Sequence, residues 1–130
     1  MSAQTEDSAA PSAVPASSPR SRLARVALHA VRRLDEVSHG VAGPQRVWAT
    51  IDAGELLGGV VAAARPDGRF DLELHLVAQW PVGPLDELAE RARARVQREA
   101  RRAGLDDVLG AVAVAFEDVR EPRVGGEGAG

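Results

Sequence analysis

The chain has 130 residues, a net charge of −3 and an apolar fraction of 45%, which is room for one ordinary globular domain and not two. It contains no Cys and no Lys, so disulfides, thiol catalysis, zinc ribbons, iron–sulfur clusters, Schiff-base lysines and the P-loop lysine are excluded. All 16 cationic residues are Arg, a chain-wide bias rather than a local choice, and the acidic balance argues against nucleic acid as a partner.

Residues 1–21 are rich in Ser, Ala and Pro and show no apolar period, so a disordered tail is expected there. No basic stretch followed by an apolar one marks a signal peptide. No apolar run is long enough to span a membrane. Leu23, Val26, Ala27, Ala30, Val31, Leu34 and Val37 then recur at helical spacing. They predict a first helix over about 22–38, with Ser21 as its N-cap and Gly40 as its stop. Leu28 falls off that apolar stripe.

Val47, Ala49 and Ile51 alternate with Trp48, Thr50 and Asp52, which allows a short extra strand near 47–52. Gly54, Gly58 and Gly59 break the chain after it. Val60 to Ala64 is a compact apolar run, and Pro66-Asp67-Gly68 is a turn. Phe70, Leu72, Leu74 and Leu76 then face one way while Asp71, Glu73 and His75 face the other. This period-2 pattern predicts a β-hairpin over about 59–78.

A second helix is predicted over about 84–103 on the stripe Leu85, Leu88, Ala89, Ala92, Val96, Ala100 and Ala103. Pro84 suits its first turn. Asp86 and Glu87 suit the positive end of its dipole, Arg101 and Arg102 the negative end, and Gly104 the stop. A last strand over about 111–118 places Val112, Val114 and Phe116 on one face and Ala111, Ala113 and Ala115 on the other. Residues 120–130, with Pro122 and four glycines, read as a second disordered tail. The order α-β-β-α-β predicts an α+β fold over 22–119: a two-layer sandwich with both helices on one face of a small, mainly antiparallel sheet. Only 3% of the chain is aromatic, so the core must come from Val, Leu and Ala. A small domain built that way is marginal alone, which favours self-association.

No arrangement of residues reads as a catalytic site. His29 belongs to the outer side of the first helix, His39 to a loop and His75 to the polar face of a strand, and they form no HxH or HExxH pattern. No metal, cofactor or catalytic residue is expected. Ser38 beside His39 makes no triad, and Thr50 stands alone. The carboxylate pairs Asp35/Glu36, Asp71/Glu73 and Asp106/Asp107 lack the apolar pocket that raises an acid's pKa. The glycines at 54–59 and 125–126 match no phosphate-binding loop and read as turns and linkers.

Two surfaces are candidate partner sites. Arg91, Arg95, Arg98 and Arg102 follow spacing i, i+4, i+7, i+11 and share one flank of the second helix. They form either a docking ridge for an acidic partner or a solvated flank partly neutralised by Glu87 and Glu99. Ala111, Ala113 and Ala115 let another layer approach the last strand closely. That layer is either a second protomer or residues 46–58 of the same chain.

Several stretches resemble the alkaline shock protein family of envelope-stress proteins. They are Gly59-Val60-Val61, the turn Asp67-Gly68, the strand Phe70-Asp71-Leu72-Glu73-Leu74, Val96-Gln97, Ala103-Gly104-Leu105, and Val112-Ala113-Val114 running to Asp118-Val119. His39-Gly40-Val41 is similar to that family's Gly-Val step. The resemblance implies a cytoplasmic, non-enzymatic scaffold or adaptor that self-associates. It also implies attachment to the membrane through a small membrane-anchored partner protein or a paralogue, in cell-envelope stress response or homeostasis. The Arg-only, Ala-rich composition suits an actinobacterial member. Beside this stand two alternatives: a KH-like RNA-binding domain, whose helix and strand order is similar, and a small-ligand-binding protein. Against the first, no GxxG loop joins two helices and no aromatic pair stacks on an exposed sheet.

Overall fold

The computed structural model describes residues 18–52 and 54–121. It is an α+β sandwich. The order is α1 (Pro19–Arg32), β1 (Val37–Gly40), a 3₁₀ turn (Pro44–Arg46), β2 (Ala49–Asp52), β3 (Glu55–Gly58), β4 (Val60–Ala64), β5 (Phe70–Gln79), α2 (Leu85–Arg102) and β6 (Leu109–Arg120).

The helix α1 begins earlier and ends earlier than its apolar period predicts. Its N-cap is Ser18, not Ser21: Ser18 Oγ accepts from Ser21 N at 3.2 Å, and Pro19 fills the first turn. Ser21 is buried. The helix therefore starts inside the segment assigned to the N-terminal tail. The rest of that tail, and of the C-terminal one, lies outside the described residues. At the other end the helix stops at Arg32. Leu34 and Val37 still reach the core, but through a turn in which Val37 N donates to Leu34 O. Gly40 closes a strand, not a helix.

The second helix runs close to its predicted span. Its exit is a Schellman turn: Gly104 is at φ +74, Leu105 N donates to Ala100 O and Gly104 N to Arg101 O. Leu105 is pulled into the core.

The central strand is β5. β6 runs parallel to it along one edge, with Leu72 opposite Val112 and Leu76 opposite Phe116. The other edge is shared: β4 pairs antiparallel with Phe70–Leu74, and β1 pairs antiparallel with Leu76–Ala78. His75 sits where the two meet. Its N donates to Gly59 O, and its carbonyl accepts from Val41 N. The short extra strand allowed near 47–52 is β2, and it pairs with β3 in a second hairpin. Glu55–Gly58 is thus a strand, although its flanking glycines read only as turns. Trp48 N donates to Ala42 O, and Gly59 N donates to Trp48 O, which ties this hairpin to the sheet.

Both helices cover the inner face of the sheet. Leu23, Ala24, Ala27, Ala30 and Val31 of α1 meet Leu72, Leu74 and Leu76 of β5, with Leu88, Ala92, Val96 and Ala100 of α2 completing the core. Alanine at the helix contacts lets the layers close without gaps. Each fully buried Leu contributes roughly 1.5–3 kcal/mol. Leu28 is buried too, because the turn into β1 brings Gly40 beside it. Among the described residues no helix is long and apolar enough to cross a membrane.

Candidate functional site

The arginine flank of the second helix is not uniform along its length. Arg91 is not part of a free ridge. Its Nη2 is 2.8 Å from Glu36 Oε2 and its Nη1 3.4 Å from Oε1, a fork that clasps the start of α2 to the turn before β1. The guanidinium holds the Glu36 carboxyl below its ordinary range, and the carboxylate raises Arg91 in turn.

Arg95 is half-buried, while Arg98 and Arg102 are exposed. Arg102 contacts Glu99 at 3.5 Å, the helical pairing expected for the neutralised flank. Among the described residues Arg95 and Arg98 form no ion pair. The far end of the flank opens into a groove of about 550 Å³ between the helices. Arg22, Arg25 and His29 of α1 face Glu99 and Arg102 of α2 across it. Val26, Ala103 and Leu105 supply its apolar lining. Arg25 also pairs with Glu55 at 2.9 Å.

The outer face of the sheet divides in two. At one end exposed Ala111 and Ala113 of β6 and Val61 and Ala63 of β4 line a shallow depression on either side of Asp71 and Glu73, which stand on β5 between them, Glu73 in register with both Val61 and Ala113. Asp71 Oδ1 accepts from Ala111 N at 2.8 Å and lies 3.4 Å from Arg65 Nη1, so its charge is already paired. At the other end Ala115, half-buried, lies in register with His75. Trp48, from the residues 46–58 foreseen as one possible cover, stacks on His75 beside this second end.

His75 is the residue whose environment departs most from its sequence position. It lies on the polar side of β5, where solvent is expected, yet it is only 6% exposed. Trp48 lies flat on its ring, with centroids 4.2 Å apart and planes 3° apart. Nδ1 donates to Glu117 Oε2 at 2.8 Å. Glu117 can reach it because the β5–β6 register slips between Leu76/Phe116 and Val77/Asp118, leaving Glu117 as the extra residue of a bulge. Nε2 is 3.2 Å from Glu73 Oε1 but lacks hydrogen-bond alignment, so it is a buried polar atom without a hydrogen bond.

His39 belongs to β1, where Nδ1 lies 2.9 Å from Ser38 Oγ, and His29 stays on the exposed helix side. The three histidines thus stand apart. Among the described residues no group of three or more His, Asp or Glu could hold a metal ion. No family model, no curated protein and no solved structure matches the chain.

Proposed function

We propose that the chain is a non-enzymatic scaffold or adaptor that acts by self-association and protein–protein binding. The observation that carries this reading is the open end of the sheet's outer face. There, exposed Ala111 and Ala113 on one side and Val61 and Ala63 on the other flank Asp71 and Glu73 of the central strand. Small apolar side chains on flat strand backbone, set around two carboxylates, suit a protein surface better than a small molecule, which takes a concave site. The envelope-stress setting, the cytoplasmic location and a small membrane-anchored partner or paralogue belong to the proposal through the alkaline shock resemblance.

The test is site-specific photo-cross-linking in the cells that make the protein. A photoreactive residue at Ala113 or at Arg98 should give discrete protein adducts, and one at Asp67, on the exposed β4–β5 turn, should not. Adducts from Ala113 and Arg98 no different from those at Asp67 would overturn the reading.

A further inference from the structure

The two edges of the sheet are finished differently. On β4 the outward carbonyls are taken by side chains: Val60 O accepts from Thr50 Oγ1 at 2.8 Å and Ala62 O from Arg20 Nε at 2.9 Å. The 12-residue strand β6 has β5 on one side and, among the described residues, no strand on the other. Its backbone groups alternate between the two sides. Ala111 N points toward β5, where Asp71 Oδ1 accepts it. Val112 O turns outward and accepts from Arg93 Nε at 2.9 Å. With that period of two, the N–H and C=O of Val114 and Phe116 also face outward, up to the bulge at Glu117. Past the bulge, Val119 N donates to Asp118 Oδ1 at 2.8 Å, and Arg120 O turns back to accept from Trp80 N. Among the described residues nothing hydrogen-bonds the outward groups of Val114 and Phe116. Their side chains turn to the core yet stay half-exposed, whereas Val112, whose carbonyl Arg93 caps, is buried. Leu85, Ala89 and Arg93 follow at i, i+4 and i+8, so one flank of α2 runs beside this edge, and Leu85 on it is 38% exposed.

We infer that this stretch of β6 takes an added strand: an extended segment of a partner protein, apolar at alternate positions and basic at the end nearer the bulge. The inference deepens the scaffold reading above by giving its partner a conformation and a chemistry. An edge strand is ordinarily blunted by side chains or covered. Here the blunting is complete on β4 and stops at Arg93 on β6. Main-chain bonds to Val114 and Phe116 hold the segment, and its inward side chains extend the apolar layer of those two residues beside Ala89 and Leu85. The Arg93 cap at one end and the bulge at the other keep the paired length short. Charge sets the polarity of the fit. At the bulge end exposed Asp118 and Glu121 outnumber Arg120, and Asp86 adds a carboxylate from the first turn of α2. A basic residue is favoured there and an acidic one opposed.

The experiment is amide hydrogen exchange by NMR on the full chain, free and with peptides selected against it from a random phage-displayed library. In the free chain the amides of Ala113 and Ala115, bonded to β5, should be protected, while those of Val114 and Phe116 exchange freely. Protection of Val114 and Phe116 in the free chain, by a terminal segment or by a second copy, overturns the open edge. Selected peptides should alternate apolar residues and end in a basic one, and should slow exchange at Val114 and Phe116 by roughly tenfold or more. N-methylation of alternate peptide amides tests the pairing without altering the protein. Methyl groups in one phase should weaken binding by roughly tenfold or more, and in the other phase should leave it nearly unchanged. Equal losses in both phases, selected peptides that leave Val114 and Phe116 exchanging, or a library that yields no binder overturns the added strand. If exchange at the edge never changes while cross-linkers at Ala113 and Arg98 still give protein adducts in cells, the edge is the wrong surface and the scaffold reading stands. If peptides protect the edge and no such adducts form, the edge binds a strand and the scaffold reading falls.

Discussion

Trp48 lies parallel to His75, ring on ring at 4.2 Å, and is the tie between the β2–β3 hairpin and the outer face of the sheet. The chain reaches this position through Gly43, at φ +78, whose missing side chain leaves the space the indole fills: a Cβ there would come within 2.5 Å of Trp48. A double-mutant cycle on Trp48→Ala and His75→Ala should give a coupling energy of about 0.5–1.5 kcal/mol in urea unfolding. Additive effects would show that the stack contributes only the burial of each ring.

The Glu36–Arg91 clasp makes a small part of the stability depend on pH. The folded-state pKa of Glu36 is depressed by its bond to Arg91, so the native state binds fewer protons than the unfolded chain as pH falls. The contribution is present above the ordinary carboxylate value and disappears as pH drops through the depressed one. With Arg91 half-exposed, solvent screening limits the contribution to about 1 kcal/mol at most. Wild type should exceed Glu36→Gln by that margin at neutral pH in urea midpoints and match it in strong acid. A gap that persists in acid would assign the effect to something other than ionised Glu36.

Gly59 and Gly68 both have positive φ, +95 and +88, but only one of them is enclosed. A Cβ on Gly59 would stand 2.5 Å from Gly40 Cα and 2.8 Å from Val41 N, in backbone that cannot give way. A Cβ on Gly68 meets nothing within 4 Å. Gly68→Ala should therefore cost only about 1 kcal/mol. Gly59→Ala should cost more than about 3 kcal/mol, because the strands on either side of His75 must separate. Equal losses in thermal or urea unfolding would show that β1 and β4 do not press together there.

Apolar side chains on the two hairpins should respond very differently. Leu74 is fully buried, whereas Ile51 is 68% exposed beside Leu56, its cross-strand partner. Leu74→Ala should destabilise by about 2–5 kcal/mol and Ile51→Thr by less than about 1 kcal/mol. A large loss at Ile51 would mean that the outer face of β2–β3 is covered in solution.

Long, regular elements were legible from the chain because their signals are local. The alternation at 70–76 and the stripe at 88–100 each report one buried face, and both elements appear where expected. Short elements were harder. Ser18 and Ser21 both precede an apolar stripe, and only the burial of Ser21 separates cap from core. The strands β1 and β3 are four residues each, too short for a period to emerge, and glycine ends both. The alanine row was visible as a face of β6, but how far it stays open depends on where Trp48 lands. The arginine row was visible at helical spacing, yet Arg91 leaves it for Glu36, a residue 55 positions away. Burial of His75 was invisible for the same reason: it needs Trp48 above it and a bulge that delivers Glu117 from 42 positions downstream.

Parallel pairing of β5 with β6 also orders events in time. A ribosome making this chain finishes Gln79 well before Arg120, the residue that pairs with it. At about 5–20 residues per second, that interval lasts roughly two to eight seconds. Through it, the central strand has a bare edge, and the helix meant to cross over has no last strand to seal against. The nascent chain is therefore open to chaperones, to proteases and to neighbouring copies until its final strand arrives, so slowing translation between β5 and β6 should lengthen that exposure.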